Sequence, residues 1–242
     1  MTDVLLIEQT DKVTTITINR EARRNSLDHV ATAALDAALN TCRHDGTSVI
    51  VIRGAGMKSF CAGDDIKAYA ERTPEQSWIH YQAGLRIVDG IEDHRCLVIA
   101  AIEGYCLGGG LELAMACDYR IVGESASFGL PEISKLDVMP SWGGLTRLSK
   151  ILGLALAKEL ALFGERWSAD EARARGLVSR VVPDGEAFDQ AVALATEYSQ
   201  SVSGETISWA KQALVHSQGA PRETARLINS LSERAAGLAN GE

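Results

Sequence analysis

The stretch Cys96–Ile121, CLVIAAIEGYCLGGGLELAMACDYRI, decides the fold. CLVIAAIEG is a short continuous apolar run, as expected of a strand buried on both faces. It leads into Gly108, Gly109 and Gly110, which open an apolar helical run, and the chain then returns to a strand at YRIVG. A bare core helix needs neither of two features found here. Three adjacent glycines cost backbone entropy. A carboxylate, Glu112, set among Leu111, Leu113, Ala114 and Met115 costs desolvation unless something partners it.

The same strand-then-helix alternation extends outward on both sides. VLLIEQTDKVTTITINR reads as two strands joined at Thr10-Asp11-Lys12. NSLDHVATAALDAALNTCRHDG reads as a helix with Asp28 as N-cap, an apolar face of Ala31, Ala34, Leu35, Ala38, Leu39 and Cys42, and Gly46 after its end. SVIVIRG is a second buried strand, followed by a loop, GAGMKSFCAGDD, and helical sequence from Ile66 to about His94, broken near Thr73-Pro74. Beyond YRIVGESASFGLPEI come helices in SWGGLTRLSKILG, LALAKELALFGE and SADEARARG, a last strand in LVSRVVP, and helix from Asp184 onward. Strands alternating with helices predict an α/β domain. The division expected is an α/β core over residues 1–185 and a helical C-terminal region over 186–242.

Composition narrows the function. The 242 residues carry a net charge of −8, which speaks against a nucleic-acid partner, whose binders show a basic face. Five scattered cysteines without a CxxC pair read as reduced thiols of a cytoplasmic protein. The N-terminus lacks the pattern of a secretory signal, and no run approaches the ~20 apolar residues that span a membrane. The five histidines make no metal spacing, so no metal is expected.

The glycines match neither a dinucleotide fingerprint nor a Walker loop. What they can do is let a small oxygen reach free N–H groups at a helix N-terminus, where the dipole favours developing negative charge. Glu112 follows Gly109 by three residues and so lies on the same helical face, one turn deeper. A helix packed closely on a neighbour, with Glu112 at a solvated edge, would fit the same spacing. SFCAGDDIKAY repeats the theme: Ala62 and Gly63 precede Asp64 and Asp65 at the start of a helix near Ile66. Two such junctions suffice for two oxyanion donors, though an N-capped helix after a tight turn would look alike. Glu132, between Leu130 and Ile133, is an acid in an apolar setting, where a raised pKa suits it to proton transfer near neutrality.

NREARRNSLD, KSFCAGDDIKAY, IEGYCLGGGLELAMACDYRI, FGLPEI, GGLTRL and ADEARARGLVSRVVP occur in the order and spacing of the enoyl-CoA hydratase/isomerase (crotonase) superfamily. The resemblance runs from about residue 4 to about residue 200. It implies a spiral of ββα units with a helical C-terminal part, assembled as a homotrimer or a hexamer of two trimers, acting on an acyl-CoA thioester. CoA enters as part of the substrate and no separate cofactor is implied. By position, the resemblance makes the N–H groups of Ala62 and Gly109 the oxyanion donors, with Gly108 beside them. Glu112 would orient or deprotonate water and Glu132 would protonate C2 of a 2-trans-enoyl-CoA. Arg24, Asp64, Asp65, Ile66 and Lys67 would meet the CoA. Isomerase, thioester hydrolase or decarboxylase chemistry, or acyl-CoA binding without catalysis, could share this site. Two departures stand out. The segment PEISKLDVMPSW is one residue longer than the family's usual spacing, with Asp137 near the usual glycine. Ser141-Trp142 follow Pro140, and Trp142 is either a wall of the acyl pocket or a core residue.

Overall fold

The computed structural model describes residues 3–239. Strands β1 (Leu5–Thr10) and β2 (Val13–Ile18) form an antiparallel hairpin, Asp11 taking the positive φ of the turn. Helix α1 (His29–Cys42) follows, with the Asp28 side chain accepting from the N–H groups of Val30 and Ala31 as the expected N-cap. The next unit is β3 (Val49–Gly54), β4 (Ser59–Cys61), α2 (Ile66–Glu71) and α3 (Pro74–Glu92). Thr73 and Gln76 cap α3 reciprocally, which explains the break at Thr73-Pro74. Then come β5 (Leu97–Ile102), β6 (Tyr105–Leu107) and α4 (Gly109–Ala116). Strands β7 (Tyr119–Gly123) and β8 (Ser127–Gly129) lead to one π-helical turn over Glu132–Leu136, then α5 (Gly144–Leu152) and α6 (Leu154–Leu162). Strand β9 (Trp167–Ser168), α7 (Ala169–Ala174), β10 (Arg180–Val182), α8 (Ala187–Ser201), α9 (Gly204–Ser217) and α10 (Arg222–Ala239) complete the chain.

The strands sort into two sheets. One has the order β1-β2-β3-β5-β7-β10 and is parallel from β2 onward; the other has the order β4-β6-β8-β9. The strand pairs β3/β4, β5/β6 and β7/β8 each send the first strand to the large sheet and the second to the small one, so the chain winds as a spiral of ββα units. Strands β2, β3 and β5 of the large sheet are buried on both faces. Ile50, Ile52, Val98, Ala100 and Ile102 face the main core, while Val49, Val51, Ile99 and Ala101 face α8. Alternate residues point to opposite faces, so two-sided burial demands the continuous apolar runs seen in the sequence.

The small sheet is the main departure from the sequence expectation. None of β4, β6, β8 and β9 is expected as a strand from the sequence, because two or three residues carry no readable period. Helix α8 lays Ala187, Ala191 and Ala195 on the large sheet, so the sheet's second face is covered from beyond residue 186. His94, expected to end a helix, instead follows it and is fully buried. Its Nε2 lies 2.9 Å from Leu39 O, the Cys96 N–H donates to Nδ1, and burial pushes its pKa down to about 4.

Candidate active site

The site is built where α4 begins. Gly108 holds φ +54°, ψ −131°, a conformation L side chains avoid. A methyl group there would lie 2.6 Å from Glu132 Oε1. Gly109 is the first residue of α4, so its N–H has no partner in a preceding turn. The β4–α2 loop abuts this terminus: a methyl group on Gly63 would stand 2.9 Å from Gly109 N. The two junctions picked out in the sequence are therefore in contact.

The donor expected of Ala62 needs correction. Its N–H already donates to Arg24 O at 3.1 Å, so it is spent on holding the loop. The Leu27 N–H donates to Gly63 O and the Asp65 N–H to Leu27 O. Between these two bonds, the Asp64 N–H donates to none of the described residues. Asp64 thus carries the free donor of this loop. Its carboxylate is gripped by Arg72 through two bonds of 2.6 and 2.8 Å and faces His80 Nε2 at 3.2 Å. Burial pushes that carboxyl up, but His80 and Arg72 outweigh burial and hold it below the usual range.

Glu112 is 1% exposed. Its Oε1 accepts from the N–H groups of Trp142 at 2.8 Å and Gly144 at 2.7 Å, at the entry to α5. Burial raises its pKa against the pull of those two N–H groups. Glu132 begins the π-helical turn, which takes up one residue more than an α-turn and so accommodates the lengthened segment before Pro140. Burial, reinforced by the charge of Glu112, pushes Glu132 up to about 7. Its Oε2 is buried and accepts nothing from the described residues. The two acids of the sequence analysis converge here, both biased toward their protonated forms.

The other expected residues separate into groups. Trp142 is 2% exposed, its ring in contact range of Gly109 and pressed on Gly84 of α3. Its carbonyl accepts from Arg147, which also binds Asp89 and Glu92. Asp137 ends the π-turn in the left-handed region (φ +54°) and is exposed. Arg24 is exposed and lies 5.5 Å from the Tyr105 ring centre, with Arg166 at 5.3 Å from the same ring. Asp65 is the N-cap of α2 and pairs with Arg20, while Ile66 and Lys67 are exposed at the start of that helix. Cys61 is buried and its thiol is pushed up to about 12 by desolvation, which removes it as a nucleophile. Among the described residues no group of acids, histidines and cysteines could hold a metal ion.

Sequence reasoning missed His80, Arg72, Arg147 and Arg166. Each acts through a contact with a residue at least five positions away. The one local hint was Gly84, a glycine inside a long helix.

Residues 8–231 match the family described as enoyl-CoA hydratase/isomerase. The chain is 35% identical over 194 residues to a short-chain-enoyl-CoA hydratase of Clostridium acetobutylicum, covering 80% of this chain and 74% of the relative. It is 37% identical over 223 residues to a 2,3-dehydroadipyl-CoA hydratase of Escherichia coli, covering 88% of this chain and 82% of the relative. The solved enoyl-CoA hydratase of Bacillus anthracis superposes with a TM-score of 0.92 at 34% identity, over 96% of this chain and 90% of that one. With its fold, its glycine-opened helix terminus and its two converging acids, the chain belongs to the enoyl-CoA hydratase/isomerase family.

Proposed function

We propose that this enzyme adds water across the C2–C3 double bond of a 2-trans-enoyl-CoA, giving a 3-hydroxyacyl-CoA. The observation that carries the reading is the convergence of Glu112 and Glu132, both with raised pKa, on a helix terminus with free N–H groups. The thioester oxygen accepts from the N–H groups of Gly109 and Asp64, and each such donor is worth ~3 kcal/mol to the barrier. Glu112 takes a proton from water as the oxygen bonds to C3. Glu132 then delivers its proton to C2 of the enolate. No proton is gained or lost overall, and dehydration runs through the same groups reversed.

Arg24 and Arg166, flanking Tyr105, offer charge for the CoA phosphates, with Asp65, Ile66 and Lys67 along the α2 edge. The self-association implied by the family is supported by α10, which exposes Leu227, Leu231 and Leu238. Five unpaired, buried thiols support a reducing, cytoplasmic setting.

Incubation with crotonyl-CoA, read by mass, tests the reaction: a gain of one water is expected. Release of free CoA or an isomer of unchanged mass would overturn it. Glu112→Gln and Glu132→Gln keep the shape and remove the proton transfer, so each lowers kcat by ~10²–10⁴-fold while acyl-CoA still binds.

A further inference from the structure

Building on the acyl-CoA reading above, we propose that Trp142 sets acyl length: its indole, backed by His80 and admitted by Gly84, closes the pocket just beyond Gly109. The substrate class is accordingly short-chain acyl-CoA.

The ring abuts the helix terminus on which the thioester of the proposed substrate would sit. A methyl group on Gly109 would lie 3.4 Å from Trp142 Cε3 and Cζ3, so the indole is in van der Waals range of the residue that meets the thioester oxygen. It is held there from both sides of its own backbone. The Trp142 N–H donates to Glu112 Oε1, and the Trp142 carbonyl accepts from Arg147 Nη1 at 3.0 Å. Arg147 is in turn fixed by Asp89 at 2.6 Å and Glu92 at 2.7 Å. These bonds fix the Trp142 backbone, and packing against Gly84 and His80 confines the ring itself.

Behind the ring the space is closed as well. A methyl group on Gly84 would fall 1.9 Å from Cε2 and 2.0 Å from Nε1 of the indole. Glycine inside a helix is unfavourable relative to alanine, and this one sits where the ring needs room. His80 lies beside it, ring centres 5.7 Å apart, 5% exposed and tied to Asp64. Beyond His80, between α1 and α3, is a cavity of 1040 Å³ lined by His80, Leu39, Ala83 and Ile87, but not by Gly109, Glu112, Glu132 or Trp142. His80 and the indole therefore stand between the acids and that volume.

The test compares binding of butyryl-CoA and octanoyl-CoA, with kcat/KM for crotonyl-CoA and 2-octenoyl-CoA alongside. Wild type should favour the short ligand by about tenfold or more, since a filled pocket excludes added methylenes. Trp142→Leu and Trp142→Phe should raise the octanoyl-to-butyryl ratio by about tenfold and severalfold; a ratio taken within one protein cancels any unfolded fraction. Equal binding of both ligands by wild type overturns the proposal even if neither variant folds. So does an unchanged ratio in a folded variant. A length cut-off in binding without water addition to crotonyl-CoA would refute the hydratase reading and leave the wall standing.

Discussion

Glu132 holds its proton up to about pH 7 because burial and the neighbouring charge of Glu112 both disfavour its ionised form. That value sets a pH dependence whose sign can be worked out. In the proposed mechanism hydration begins with Glu132 protonated and Glu112 ionised, and dehydration begins with the reverse. Both states carry one proton on the pair, so the pair titrates as a unit. kcat/KM should therefore fall as pH rises through about 7, with the same basic limb for crotonyl-CoA and for 3-hydroxybutyryl-CoA. Activity flat from pH 6 to 9 in either direction would separate Glu132 from the chemistry. Both acids were legible in the sequence, as carboxyls set among apolar neighbours. Which N–H stays free was not: it depends on the carbonyl of Arg24, nearly forty residues before Ala62, taking up the Ala62 N–H.

At the level of elements, the approach to α5 is a strut between α4 and α3. Arg147 reaches from α5 to Trp142 O and to the carboxylates of Asp89 and Glu92, while the Trp142 and Gly144 N–H groups hold Glu112. Arg147→Ala should loosen this segment and lower kcat by about 10–100-fold, the scale on which small misplacements of catalytic groups act. Arg147→Lys separates positioning from plain stability. An ammonium restores charge near Asp89 and Glu92 but cannot reproduce the planar fork. The lysine variant should recover much of the Tm and little of the kcat; parallel recovery of both would reduce Arg147 to a structural brace. The motif GGLTRL placed this helix correctly from sequence, but nothing local marked its arginine as a link to α3.

On the scale of the whole molecule, a buried cation helps fasten the α9–α10 pair to the rest, beside contacts from Gln212 and His216 to Asp93. Lys211, 6% exposed, donates to Ile91 O and Cys96 O and lies 2.8 Å from Asp118 Oδ2. Burial raises the pKa of Asp118, and Lys211 is the largest influence opposing it. Lys211→Met removes the cation and leaves a partly buried carboxylate held by the Val98 N–H, so stability should fall by about 3 kcal/mol, the low end for a broken buried pair. Urea unfolding at pH 8 should register that loss, and the deficit should shrink toward acid pH, where Asp118 takes a proton. An equal deficit at both ends of the range would assign Lys211 a packing role alone.

Sequence by itself determined the large sheet, the caps and the acid–glycine spacing. A strand buried on both faces must be apolar throughout, Asp28 can close the first turn of α1 without help, and Gly109 and Glu112 share a helical face by geometry alone. Tertiary structure decided what depends on partners distant in the chain. The small sheet consists of two- and three-residue strands that exist only because they pair with one another. His94 is buried because Leu39 supplies its hydrogen bond. Trp142 lies against the start of α4 because Gly84, fifty-eight residues earlier, leaves it room. A local pattern records which face a residue turns inward; it holds no record of what waits there.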